Sequence, residues 1–294
     1  TAPVIARWFH SGRVRAFSML GIGGAVALTI AFPLTQWLIS NYGWDSAWRI
    51  LGLIGLVLFV PLSILFLRKQ PEDFGLVPDG IKLASKNQDN NEPDFDYPWT
   101  RSQALRTSAF WRIAFAYAMV FVALGSVMSF RFPHWEDRGL DASIISYLAS
   151  LEGVMTLIAC FTGTALVTKF GAVKIAGATY LLFIFSIALI AITSNFIHVT
   201  LAVLAFGYAI PLLMIVQNII YTTYFGRHNI GAIRGVGLGV ATSAGSISAP
   251  VTGFLADATG SFAPTWIVLS CLLIIPAVIL FTSKPPEIPT TENG

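Results

Sequence analysis

The sequence predicts an all-α membrane protein of eight transmembrane helices, and three observations carry that prediction. Apolar residues make up 55% of the 294 residues and charged residues only 11%, with mean hydropathy +0.72. A soluble domain averages about 25% charged residues. Eight stretches of about 20 residues carry almost no charge: 17–40, 47–67, 109–131, 143–167, 173–194, 199–222, 236–257 and 264–283. They are continuously apolar and do not alternate, so they read as helices that satisfy their own backbone rather than as barrel strands. Finally, residues 8–72 look like a worn copy of residues 224–287.

The repeat rests on residues other than aliphatic ones, because apolar helices resemble each other by chance. An aromatic-Phe pair opens each copy, Trp8-Phe9 and Tyr224-Phe225. Glycine pairs follow (Gly21/Gly23, Gly237/Gly239), then a mid-helix proline (Pro33, Pro250) and a turn glycine (Gly43, Gly260). A second proline (Pro61, Pro276) and a closing Pro-Glu (Pro71-Glu72, Pro286-Glu287) complete each copy at an offset of 215 to 217 residues. The first two spans therefore match the last two, and the period is six helices. Spans three to eight form one complete six-helix unit. Spans one and two are expected to be the last pair of an earlier unit, which makes this chain a fragment lacking four helices at its front.

Taken in order, the first span holds the GIGG cluster at 21–24 and Pro33, which should bend it. The glycines pack helices closely in this reading. No strand precedes them, so they make no dinucleotide loop. Gly43 supplies a turn, and the second span follows to residue 67. The widest gap, 68–108, contains the polar and acidic run SKNQDNNEPDFDYP, a flexible linker by composition. Thr100 and Gln103 stand at capping-box spacing, so a short surface helix near 100–107 should run into the third span, with Arg106 and Arg112 at the headgroups. The domain boundaries are 1–70 for the first helix pair, 71–108 for the linker, 109–284 for the six-helix half, and 285–294 for the tail.

Orientation follows from the basic residues. With the N-terminus inside, 15 of the 18 Lys and Arg residues fall on the cytoplasmic side, and only Arg49, Arg131 and Arg138 fall outside. Both chain ends are then cytoplasmic, in a cell (inner or plasma) membrane. The net charge of +3 is this topology signal and gives no reason to expect nucleic acid. Cys160 and Cys271 lie inside spans, so neither a disulfide framework nor a metal site is expected. No cofactor motif and no ATP-binding motif is present. There is no HExxH, no GxSxG and no paired cysteine, which argues against an integral-membrane enzyme.

Glu152 is the sharpest candidate. It lies about nine residues into the fourth span, roughly 13 Å of helix. An ionisable group at that depth should face the bundle interior, where it is either paired or often protonated. Its functional reading is a proton-coupling or substrate carboxylate; an interhelical structural bond is the plain alternative. Thr156 and Ala159 share its face, with Gly163 further along. On the third span, Tyr117 and Arg131 lie on one face, a phenol deep in the membrane and a guanidinium near the outer end. Arg131 reads as an anion-attracting gate that pairs with Glu152, or as a snorkelling interfacial arginine. His134 and Trp135 read as interface anchors. Gln217, Asn218 and Tyr221 on the sixth span offer polar side chains near the midplane, Gln217 and Tyr221 on one face. Thr29 and Gln36 on the first span, seven apart, are candidates for the same space.

The ordered set of motifs resembles the major facilitator superfamily, with its two six-helix halves and long cytoplasmic loop. RWFHSGRVRAFSMLGIGG, RKQPEDFGLVPDG, RTSAFWRIAFAY, EDRGLDAS, TYFGRHNIGAIRG and APVTGFLADATGSF carry the likeness, which is nearest to the prokaryotic monocarboxylate or oxalate–formate type branch. The resemblance implies that the eight spans correspond to the family's fifth to twelfth helices. It also implies that the third and sixth spans line a central cavity. Two departures stand out. The family's G-x-L-x-D-R-x-G-R signature is worn here, with Thr168 in the aspartate position and only Lys169 keeping charge. Cys160 stands where carboxylate-carrying members commonly place an arginine, which argues against a simple monocarboxylate. The implied function is secondary active transport of a small organic solute, an organic anion by this likeness, by alternating access with proton coupling or exchange. The partners are then the solute, the proton, the lipid bilayer and the missing front helices that complete the cavity. The alternatives are a membrane enzyme or a carrier-derived receptor or scaffold without transport.

Overall fold

The computed structural model describes residues 13–66, 97, 99–226 and 229–287. Trp8-Phe9, Pro71-Glu72, most of the acidic linker and the end of the tail lie outside the described residues. The described residues are mostly helical, with no strand among them, and the chain divides into two units, residues 1–93 and 94–294.

In the first unit, α1 runs from Arg13 to Phe66 and carries both expected spans. Gly43 interrupts it with φ 77 and ψ 163, so it is two helical stretches joined at a break. That φ suits glycine, which has no Cβ to clash. Its apolar run Ile22–Ile64 has 43 residues, about 65 Å if straight and roughly twice a hydrocarbon core. This is why seven rather than eight helical runs among the described residues are long and apolar enough to cross a membrane. The matching turn glycine of the second copy, Gly260, also takes positive φ, at 72°. The two copies thus share a backbone requirement as well as a residue.

The second unit opens with α2 (Arg101–Leu105). Its Thr100 cap accepts from Gln103 N (3.3 Å), and Gln103 Oε1 accepts from Thr100 N (2.9 Å). The helix does not run straight on. The chain breaks at Arg106–Thr107, and Thr107 caps a new helix, accepting from Phe110 N at 3.2 Å. Six spans follow: α3 (Ser108–Glu136), α4 (Ala142–Phe170), α5 (Ala172–Ile192), α6 (Phe196–Phe225), α7 (Ile230–Thr259), and a last span made of α8 (Ala263–Leu272) and α9 (Ile274–Phe281). The α8–α9 break has a local cause, since Pro276 has no N–H to give to the Leu272 carbonyl.

Helices α3 and α7, α4 and α6, and α5 and α6 make the broadest pairings. Gly125 and Gly245 let α3 and α7 close in. A Cβ on Gly125 would stand 2.8 Å from the Gly245 carbonyl, and one on Gly245 would stand 3.0 Å from the Phe121 carbonyl. The glycine clusters singled out from sequence do less. Within the second unit Gly235 and Gly239 have open space where a Cβ would stand, while Gly237 is in close contact with the Tyr221 hydroxyl. Ser126 Oγ joins three helices, accepting from Thr252 Oγ1 (2.8 Å) and from Trp266 Nε1 (2.9 Å).

Candidate functional site

The site is built where the tight turn between α3 and α4 sets two helix ends side by side. Gly139 turns the chain at φ 80, and Asp141 caps α4 by accepting from Ser143 N (2.9 Å) and Ile144 N (3.1 Å). Arg138 donates to the Thr193 carbonyl and ties the turn to the end of α5. Arg131 is five residues before the end of α3, about 8 Å of helix, and Glu152 is ten residues into α4, about 15 Å. The long arginine side chain spans that difference.

Arg131 and Glu152 form a two-point ion pair. Nη1 donates to Oε1, and Nη2 donates to Oε2 at 3.2 Å. The residues are 1% and 3% exposed, so neither is an interfacial group reaching for water. Snorkelling is therefore not what Arg131 does in this structure. Aromatic rings surround the guanidinium, whose Cζ lies 5.2 Å from the Phe132 and Phe206 centroids and 5.9 Å from that of Trp135. A bidentate carboxylate and aromatic faces are the partners that a guanidinium's flat, forked shape accepts.

The seam between α4 and α6 places Glu152. A Cβ on Gly207 would stand 2.6 Å from Glu152 Cα, so glycine is what allows α6 this close. Pro211, one turn further along α6, has no N–H for the Gly207 carbonyl. The Thr156 hydroxyl of α4 donates to that carbonyl instead, at a long 3.4 Å. The face of Glu152, Thr156, Ala159 and Gly163 is thus a packing seam against α6, with Ala159 fully buried and Leu212 and Ile215 against Gly163.

The remaining candidates of the second unit are not gathered here. Tyr117 is fully buried and donates to the Leu213 carbonyl at 3.1 Å. Gln217 and Tyr221 are buried on one face of α6, but Asn218 is exposed on another. Gln217 lies ten residues beyond Gly207, about 15 Å along the helix, so it forms no cluster with the ion pair. Tyr221 packs among Phe110 and Phe225. In the first unit Thr29 donates to the Ala25 carbonyl (3.0 Å) and Gln36 to Ser40 Oγ (3.4 Å), both local bonds. His134 and Trp135 are buried, at 3% and 0% exposure, and are not interface anchors. The His134 ring stands edge-on to Trp266 at 4.9 Å because α3 packs against α8 there.

Sequence reasoning missed Phe206, Gly207 and Pro211. The signal was available: a glycine four residues before a mid-span proline marks an exposed carbonyl next to a bare backbone surface.

The sequence model of the Major Facilitator Superfamily matches residues 1–249. The chain belongs to this superfamily. Its family and its apolar helices make it a multi-pass membrane protein of the transporter class. Comparison with curated protein sequences gives no match.

Proposed function

We propose that the protein is a secondary active transporter of a small organic anion, and that the Arg131–Glu152 pair is its outer latch. The pair is the observation that carries this reading. A buried ion pair is poor evidence of stabilisation, since its desolvation cost rivals its attraction, but breaking one is expensive. Two chemical events would release it. A proton on Glu152 removes the negative partner, or a substrate carboxylate takes Glu152's place on the arginine fork. Either event frees α3 from α4 at the outer end, which links proton or anion binding to opening. The likeness of the motifs to the oxalate–formate type branch supports an anion, and the basic residues support cytoplasmic ends in a cell membrane. The six-helix period supports reading the eight spans as the family's fifth to twelfth helices, with the solute cavity completed by four preceding helices.

The test uses the full-length carrier in liposomes with labelled formate, oxalate and lactate. Glu152→Gln keeps the shape of the side chain but cannot carry a titrating proton. Counterflow should survive, and uptake driven by a pH gradient should be lost. Gradient-driven uptake at the wild-type level would refute the coupling role.

A further inference from the structure

The spans of the second unit alternate in direction across short turns, so α3, α5 and α7 begin at the end where α4, α6 and α9 finish. That end carries Arg106, Arg112, Lys169, Lys174, Arg234 and Lys284, and Glu287 is the one carboxylate there among the described residues. A basic end by itself attracts any anionic surface, but one corner of it is built further. Trp111, early in α3, folds its indole back over the α2–α3 break, and Nε1 donates to the Leu105 carbonyl at 2.9 Å. That bond uses the ring's one polar atom, yet the residue stays 50% exposed, so what it turns outward is apolar. Phe115 lies one turn further into the span on the same face and is also exposed. Arg106 closes α2 beside the Leu105 carbonyl, and Arg112 follows Trp111. Both arginines are exposed, and neither has a hydrogen bond or ion pair among the described residues. The corner sits on a fixed frame. Asn229, at the start of α7, donates to the Trp99 carbonyl at 3.0 Å, and the Trp99 ring stands edge-on to Phe225 of α6 at 5.7 Å.

We propose that the α2–α3 corner binds an anionic phospholipid, its phosphate held by Arg106 and Arg112, its glycerol region against Trp111 and an acyl chain along Phe115. The order of the side chains is the order of a lipid: charge first, then an interfacial ring, then hydrocarbon. Guanidinium forks match phosphate oxygens. A soluble anion could use the two arginines but has no chain to cover Trp111 and Phe115, so a lipid is what the whole set fits. A lipid seated here braces α2 and, through Trp99 and Asn229, the junction of α6 and α7. The inference does not depend on what the protein carries across the membrane.

Tryptophan quenching tests the idea in the full-length protein, held in phosphatidylcholine nanodiscs. The discs are doped with phosphatidylglycerol or phosphatidylcholine whose acyl chains carry bromine, which quenches indole on contact. A Trp111→Phe protein supplies the background of the other tryptophans. The Trp111 signal should reach half its quenching at a mole fraction roughly fivefold lower, or less, with the anionic lipid, which is what the attraction of a single arginine to an anionic surface gives. Arg106→Gln/Arg112→Gln should abolish that preference. Both side chains are exposed, so the variant should fold, and Arg112→Gln alone serves if the double variant melts early. Lys169→Gln/Lys174→Gln removes the same charge elsewhere at this end and should keep the preference. Glycerol phosphate in solution should not displace the lipid. The proposal is overturned if the two lipids quench wild-type protein alike, or if the arginine variant retains the preference. It is also overturned if the lysine variant loses the preference as fully, which would mean diffuse attraction, or if soluble glycerol phosphate reverses the quenching.

Discussion

Replacing Arg131 by methionine leaves the Glu152 carboxylate without its guanidinium partner at a position only 3% exposed. Orphaning one member of a buried pair typically costs about 3–5 kcal/mol. Glu152→Met should cost a similar amount, because it strands a guanidinium that is 1% exposed. The double variant removes both charges and fills the seam with apolar chain, so it should be more stable than either single variant. This sign of coupling separates a desolvated pair from a superficial one. Reversible denaturant unfolding can be followed by tryptophan fluorescence, since Trp135 sits 5.9 Å from the Arg131 guanidinium carbon. Single losses below about 1 kcal/mol, as surface pairs give, would refute the reasoning. So would a double variant whose loss equals the sum of the singles.

Two further substitutions probe the packing around the ion pair. Gly207→Ala places a methyl 2.6 Å from Glu152 Cα and 3.0 Å from its carbonyl oxygen, both backbone atoms that cannot swing away. It should lower stability by about 1–3 kcal/mol, whereas Gly239→Ala, with open space around it, should leave the melting temperature unchanged; equal effects would reject the seam. Ser126→Ala strips the acceptor from both Thr252 and Trp266, and a loss of about 0.6–2 kcal/mol is expected from interhelical bonds of this kind. Trp266→Phe should then cost less in that background than in the wild type, which a double-mutant cycle in chemical unfolding would measure.

Much of the fold could be read from the chain because lipid imposes local rules. A span must supply about 20 apolar residues wherever it lies, and the runs from Ser108 to Phe281 are legible on that ground alone. Turn chemistry is local too. Gly43 and Gly260 both take the positive φ expected of turn glycines, and Thr100 and Gln103 make their reciprocal bonds within four residues. The seven long runs among the described residues, in place of eight, follow from the same kind of fact: the two stretches joined at the Gly43 break count as one.

The sequence by itself determined the depth of each polar group: a carboxylate partway into the fourth span, a guanidinium near the C-terminal end of the third. Depth follows from counting residues along a helix of fixed rise. The tertiary structure alone decided what each group meets, because that depends on how neighbouring helices are rotated and how closely they approach. Rotation put Arg131 on Glu152, 21 residues away, and decided that the face of Gln217 is buried while that of Asn218 is exposed. Approach distance made Gly125, Gly207 and Gly245 structural and left Gly235 and Gly239 in open space. It also buried His134 and Trp135, whose position near a helix end had suggested the membrane surface. A single apolar helix carries no record of its neighbours' orientation, so Arg131 and Glu152 could be located from sequence only as two candidates, and the packing closed the distance between them.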